Sequence, residues 1–184
     1  LFQRKKIIAH AKETIKYKEK RDTITVIGVG DIMLGTNFPG KEYLPPGNDC
    51  MPLLSEVIPV LQNADITFGN LEGCFLDSGK VAKKCSDPKK CYAFRMPEKY
   101  AFCLKEAGFD VVSLANNHSG DFGSVGKKTT MKCLDSLDIH YAGFQNHPPA
   151  IFSKNSVTFG FCAFSPNRGR SEEHTSELQS LLII

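Results

Sequence analysis

A β-branched run that breaks without transition into amides, imidazole and carboxylate constrains this chain most. In Phe109 to Gly123, FDVVSLANNHSGDFG, the run Phe109-Asp110-Val111-Val112-Ser113-Leu114 has the length and branching of a buried strand. Asn116, Asn117, His118, Ser119 and Asp121 follow at once, with Gly120 and Gly123 among them. A strand ending this way places polar atoms at the carboxyl edge of a sheet, where open α/β sheets bind ligands. Asn carbonyl oxygens and His nitrogens can hold a metal, and an unligated His can move a proton near neutral pH. The same residue types also dominate plain turns. By itself the stretch leaves turn and site both open.

Two further strand ends repeat the pattern. Thr23 to Val29 is β-branched and apolar and runs into Gly30-Asp31-Ile32-Met33. Ala64-Asp65-Ile66-Thr67-Phe68 runs into Gly69-Asn70-Leu71-Glu72-Gly73. Between them, Leu54, Val57, Ile58 and Leu61 recur at helical spacing. Pro52 suits a first helical turn, but Pro59 does not suit a helix interior, so this helix is kinked or starts late. Residues 74–97 are a long insertion rich in Lys, Cys and Pro. Tyr100, Cys103, Leu104 and Ala107 mark a helix that Gly108 stops. Thr130, Cys133, Leu134 and Leu137 mark another, followed by a short strand at His140-Tyr141-Ala142. Ser156 to Phe164 is a longer strand with Val157, Phe159, Phe161 and Ala163 on one face, closing on Ser165-Pro166-Asn167. Strand and helix alternate throughout, which predicts an α/β fold with a parallel sheet.

Charge and cysteine usage narrow the function classes. The net charge of +3 is unevenly placed: residues 1–22 carry eight Lys/Arg against three Asp/Glu, so the remainder is acidic overall. A basic leader of this kind is a solvated arm, or a contact for a membrane surface or anionic polymer. Basic and aromatic residues do not interleave in the RNA-binding manner, so no nucleic-acid partner is expected. No apolar run approaches membrane-spanning length. Arg4-Lys5-Lys6 is followed by only Ile7-Ile8-Ala9 before His10, which is no signal peptide, although a leader or anchor can precede Leu1. The seven cysteines contain no CxxC pair, which argues against a zinc ribbon. Cys103, Cys133 and Cys162 fall in apolar patterns and read as core thiols, whereas Cys50, Cys74, Cys85 and Cys91 are candidates for disulfides in an oxidising compartment.

From Arg170 the chain reads RSEEHTSELQS, which matches residue for residue the translation of a common short-read sequencing adapter. Residues 170–184 are therefore expected to be a non-native tail and are set aside from fold reasoning. On this reading residues 23–169 are the domain, and the natural protein continues beyond them.

Three strand ends thus bring Asp31, Asn70 with Glu72, and Asn116-Asn117-His118 with Asp121 to one sheet edge. Carboxylate, amide and imidazole are a ligand set for a divalent ion such as Mn, Mg, Zn or Fe. Such an ion activates water and polarises a phosphoryl group, and His118 is a candidate to protonate the leaving oxygen.

The segments GVGDIMLG, ADITFGNLEG and FDVVSLANNHSGDFG, followed by a strand closing AFSPN, resemble the bacterial capsule-synthesis CapA family, associated with poly-γ-glutamate capsules. The resemblance covers about residues 23–168. It implies a fold related to the calcineurin-like metallophosphoesterases, a layered α/β sandwich. It further implies Asp31 and Asn117 as metal ligands, His118 as general acid, and Asp121 as the residue that orients it. The phosphoesterase first motif is Asp-x-His, but Met33 stands at the His position here. The second motif supplies an Asp; Asn70 or Glu72 must serve, and the charged Glu72 is preferred as ligand, with Asn70 and Asn116 beside the substrate. Arg95 is either a bidentate grip for an anionic substrate or a surface arginine. His140 and His147 read as surface residues rather than substitutes for the later metal-binding histidines, so the chain is expected to hold part of a site and to be inactive alone. The implied partners are an anionic envelope polymer or phosphoester substrate and membrane proteins of capsule synthesis, at the extracytoplasmic face of the envelope. Two functions follow: a metal-dependent phosphoesterase-like enzyme, or a non-catalytic binder or scaffold for the polymer.

Overall fold

The computed structural model describes residues 23–85, 91–144, 146–165 and 179–183; the basic leader lies outside the described residues. In chain order the elements are β1 (Val26–Ile32), the one-turn helices α1 (Met51–Leu54) and α2 (Ile58–Leu61), β2 (Ile66–Leu71), the two-residue strands β3 (Cys74–Phe75) and β4 (Arg95–Met96), α3 (Ala101–Ala107), β5 (Val111–Ser113), α4 (Gly123–Ser136), β6 (His140–Ala142), β7 (Ala150–Lys154), β8 (Val157–Phe164) and β9 (Gln179–Ile183).

Proline placement accounts for the broken helix at 51–61. Pro52 and Pro59 each sit in the first turn of a separate helix, where a missing N–H costs nothing. One continuous helix would have put Pro59 in its interior. Gly108 closes α3 in the left-handed region at φ 91°, and its N–H bonds back to the last turn.

The parallel sheet has the order β1-β2-β5-β6. Its faces carry different cores. On the helical side Leu71, Val112 and Leu114 pack with Leu54, Leu61, Leu104 and Leu134. On the other side Ile66, Val111, Ala115 and Ala142 pack with Ala150, Phe152, Phe159, Phe161 and Ala163. Full burial of each large apolar side chain stabilises the fold by about 1.5–3 kcal/mol. The layers are helices, parallel sheet and a second sheet, an α/β sandwich as expected.

The second sheet corrects one expectation. Strand β8 does not extend the parallel sheet; it lies in an antiparallel sheet of order β7-β8-β9 packed on the parallel one. The cause is a hairpin at Asn155-Ser156, both at positive φ (53° and 66°), which turns β7 directly back into β8. Its inward face of Val157, Phe159, Phe161 and Ala163 is the one predicted. Strand β9, within the stretch set aside above, pairs antiparallel with β8, with Ile183 opposite Gly160.

Cysteine pairing also differs in part. Cys85 bonds Cys91 within the insertion, but Cys50 bonds Cys103 and so ties α1 to α3. Cys103 is therefore bridged, and Cys74 is a buried free thiol. Cys74 lies on β3 against α4, where a side chain on Gly126 would come within 3.1 Å of its sulfur. Burial, with the Asp121 carboxylate adding, pushes its thiol up to about 12.

Candidate functional site

Strand register assembles the site. Asp31 pairs with Asn70, and Asn70 pairs with Ser113, across β1, β2 and β5. Pairing runs further along β1 and β2 than the sequence suggested, so Asp31 and Asn70 stand inside their strands, near the carboxyl ends. A register shift between Gly28 and Asp31 precedes the aspartate, a bulge of the kind that re-aims a strand at functional sites.

Asn70 is 1% exposed and organises the carboxylates. Its Nδ2 donates to Asp31 Oδ1 at 2.8 Å and to Glu72 Oε2 at 2.7 Å. Its Oδ1 accepts from Asn116 Nδ2 at 3.0 Å, and Asn116 Nδ2 also donates to the Leu71 carbonyl. Asn116 Oδ1 in turn accepts the backbone N–H groups of His118 and Ser119. Asn70 and Asn116, expected beside the substrate, are thus the internal frame that fixes the carboxylates and the His118 loop. That loop is held from behind by Gly143, at φ 118°, where any Cβ would come within 2.5 Å of the Ala115 nitrogen.

His118 sits between two carboxylates and is 8% exposed. Its Nδ1 lies 2.7 Å from Asp121 Oδ2, and its Nε2 lies 3.8 Å from Glu72 Oε1. An Nδ1–H is the hydrogen that a carboxylate at Asp121 Oδ2 can accept, and the ring then turns Nε2 toward Glu72. The Phe94 ring packs on the imidazole at 4.1 Å between centroids. Exposure rises from buried Asp121 and His118, through half-buried Glu72, to exposed Asp31, so the cluster opens to solvent on the Asp31 side. Burial holds the Glu72 carboxyl above the usual range; the His118 ring opposes this, the Asp31 carboxylate adds to it, Asn70 opposes and Asp121 adds.

Asp31 and Glu72 are like charges drawn onto one amide, each with a second oxygen not engaged by Asn70. Oxygen-rich donors of this kind suit a hard or borderline divalent cation, which would relieve their repulsion. Among the described residues no group of three His, Cys, Asp or Glu side chains is assembled to hold a metal. The pair therefore fits a metal only with further donors, amide or otherwise. Asn117 lies in the same loop, half-buried. Met33 packs against the helical-side core and offers nothing to the cluster.

Arg95 faces away. Phe94 lies on His118, and the next side chain in an extended segment points to the opposite side. The Arg95 guanidinium donates to Asn37 Oδ1 at 2.6 Å and to the Gly79 carbonyl at 2.9 Å, over the Phe122 ring at 5.0 Å. It holds the 37 and 79 loops together. His147 is exposed and His140 stacks on Phe152; neither joins the cluster.

Two contributors escaped sequence reasoning, Phe94 and Lys83. Lys83 lies within the insertion, its ammonium 3.3 Å from Asp121 Oδ1 and 3.4 Å from His118 Nδ1. Only its richness in Lys, Cys and Pro marked that insertion, and nothing in its spacing pointed at His118.

The model of the family described as bacterial capsule synthesis protein PGA_cap matches residues 25–181. The chain is 35% identical over 130 residues to the capsule biosynthesis protein CapA of Bacillus anthracis, covering 70% of this chain and 30% of that protein. It is 30% identical over 135 residues to the PGA biosynthesis protein CapA of Bacillus subtilis (strain 168), covering 72% and 34%. An uncharacterized protein, y4sH, of Sinorhizobium fredii is 32% identical over 123 residues, covering 66% and 25%. The chain spans between 25% and 34% of the length of these relatives.

Proposed function

The chain belongs to the bacterial capsule synthesis (PGA_cap) family, and from that premise we propose that it forms part of a metal-dependent phosphoesterase-like site acting in capsule or poly-γ-glutamate assembly. The observation that carries the reading is the Asp31–Asn70–Glu72 carboxylate pair beside an imidazole oriented by Asp121. Asp31 and Glu72 would hold the divalent ion, with Asn117 as the amide donor that the family resemblance implies. Such an ion supplies Lewis acidity to a phosphoryl oxygen and to the attacking water.

The protein's own side chains do the rest. Asp121 and Phe94 fix the His118 ring, so that Nε2 faces the carboxylates and the open side of the cluster. A phosphoester entering from the Asp31 side would meet Nε2; with the ring as imidazolium, protonated at both nitrogens, Nε2 would give its proton to the leaving oxygen while Nδ1–H stays on Asp121. Asn70 and Asn116 keep the carboxylates and the imidazole in register while this happens.

Two disulfides support action in an oxidising compartment, at the extracytoplasmic face of the envelope. No helix among the described residues is long and apolar enough to cross a membrane. Membrane proteins of capsule synthesis are the partners this location favours.

One observation favours a second reading. Met33 stands where a metal-binding His would be and is packed into the core, so the domain can also serve as a non-catalytic binder of an anionic envelope polymer. Hydrolysis of a generic phosphoester by the full-length protein, with Asp31→Ala and His118→Ala, separates the two. The enzyme reading expects metal-dependent turnover that both changes abolish. Polymer binding without turnover in any of the three proteins would replace it with the scaffold.

A further inference from the structure

The Asp121 carboxylate is 1% exposed, and its two oxygens are treated unequally. Oδ2 receives the His118 Nδ1 at 2.7 Å and the Phe94 N–H at 2.9 Å. Oδ1 is buried and receives no hydrogen bond; its neighbour is the Lys83 ammonium at 3.3 Å. That ammonium donates to the Tyr92 carbonyl at 2.9 Å, and its side chain is 11% exposed. A buried carboxylate that loses its counter-ion carries an uncompensated charge, among the more destabilising states a protein interior can hold.

The backbone around Lys83 has the same focus. Ala82 and Lys83 donate their N–H groups to the Asp121 carbonyl at 2.8 and 3.0 Å. Phe94 contributes both an N–H to Asp121 and its ring to His118. The Cys85–Cys91 disulfide joins the two arms just beyond Lys83 and just before Tyr92. The two arms of the insertion thus meet over Asp121 and His118.

We infer that Lys83 is a positioning residue for His118: as counter-ion to Asp121 Oδ1 it keeps Oδ2 aimed at Nδ1, and so keeps Nε2 turned toward the Asp31–Glu72 carboxylates. Lys83 acts on the ring mainly through Asp121, its ammonium also lying 3.4 Å from His118 Nδ1, and it faces the side of the ring remote from Glu72. It is therefore no general acid itself. The catalytic consequence rests on the reading of His118 as proton donor; the structural claim does not.

The test uses full-length protein labelled with ¹⁵N-histidine, with His118 signals identified by their loss in His118→Gln. Wild type is expected to show a protected Nδ1–H signal from the bond to Asp121. In Lys83→Met, which keeps the packing stem, exchange of that proton is expected to quicken by about tenfold or more. Lys83→Arg is expected to retain the signal. Phosphoester turnover, if present, is expected to fall by about tenfold to a hundredfold in kcat with KM little changed, as a misplaced catalytic group would give. If wild type shows no turnover, the phosphoesterase reading fails while the ring signal still decides the role of Lys83. If Lys83→Met does not fold, Lys83→Met with Asp121→Asn, which removes the unpaired charge, is expected to fold. A folded Lys83→Met with wild-type His118 signals would overturn the inference, as would a double variant no better folded than the single one.

Discussion

The Asn70 amide donates to Asp31 at 2.8 Å and to Glu72 at 2.7 Å, so one buried side chain holds two carboxylates together. Asn70→Ala strips both acceptors of a donor and leaves Asn116 Nδ2 with the Leu71 carbonyl alone. We expect a loss of about 2–3 kcal/mol in urea unfolding, as for a broken buried polar network. Asn70→Asp adds a third negative charge and should cost more in metal-free buffer. Divalent cation should return part of that loss, and a cation effect no larger than in wild type would count against the cation-binding role of this cluster.

Glu72 makes a prediction about pH. Its carboxyl is held above the usual range, first by burial, so the native state binds this proton more tightly than the unfolded chain. The stability linked to that proton is fully present below the ordinary value of 4.5 and is lost as pH rises through the raised native value. In metal-free buffer Glu72→Gln should therefore unfold at higher denaturant than wild type at about pH 7.5, with the gap closing as the pH approaches the ordinary carboxylate range. Saturating divalent cation should narrow or reverse the order by favouring wild type. A gap that widens on acidification would show the opposite sign.

The disulfides differ in the loops they close. Cys50 and Cys103 are 53 residues apart, and Cys85 and Cys91 are 6 apart. Chain entropy assigns about 4 kcal/mol to the first and about 2 kcal/mol to the second. Cys50→Ser should lower the unfolding midpoint more than Cys85→Ser, while the latter should disturb His118 more. Alkylation of the unreduced, unfolded protein should mark Cys74, Cys133 and Cys162 and spare the other four. In the native protein Cys74 should resist alkylation near neutral pH, since its thiol is pushed up to about 12. Labelling of Cys50 or Cys103 without reductant would remove the α1–α3 tie.

The parts of this fold legible in the sequence are those where local chemistry and tertiary structure agree. Pro59 announced a break in the helix at Leu54–Leu61, which proves to be two one-turn helices; Gly108 announced a helix stop, and the apolar alternation of Val157 to Ala163 an inward face. The polar bursts at Asp31, Asn70–Glu72 and Asn116–Asp121 converge, because parallel strands bring their carboxyl ends to one edge. Sheet membership was not legible: β8 reads as a buried strand wherever it pairs, and only the positive φ of Asn155 and Ser156 sends it back along β7. Nor were Lys83 and Phe94, whose role arises from a fold-back of the insertion that no periodicity records. Cys103 looked like a core thiol because a bridged cysteine is as buried as a packed one.

The proposed site divides its work, Asp31 for a cation and His118 for proton transfer beside it. Titration of Mn²⁺ against the full-length protein, followed by electron paramagnetic resonance, tests the division of labour directly. Asp31→Ala is predicted to weaken Mn²⁺ binding by about a hundredfold or more, the loss expected when a charged oxygen ligand is removed, whereas His118→Ala should bind within a few-fold of wild type and lose only turnover. Equal Mn²⁺ affinity in wild type and Asp31→Ala would contradict the account.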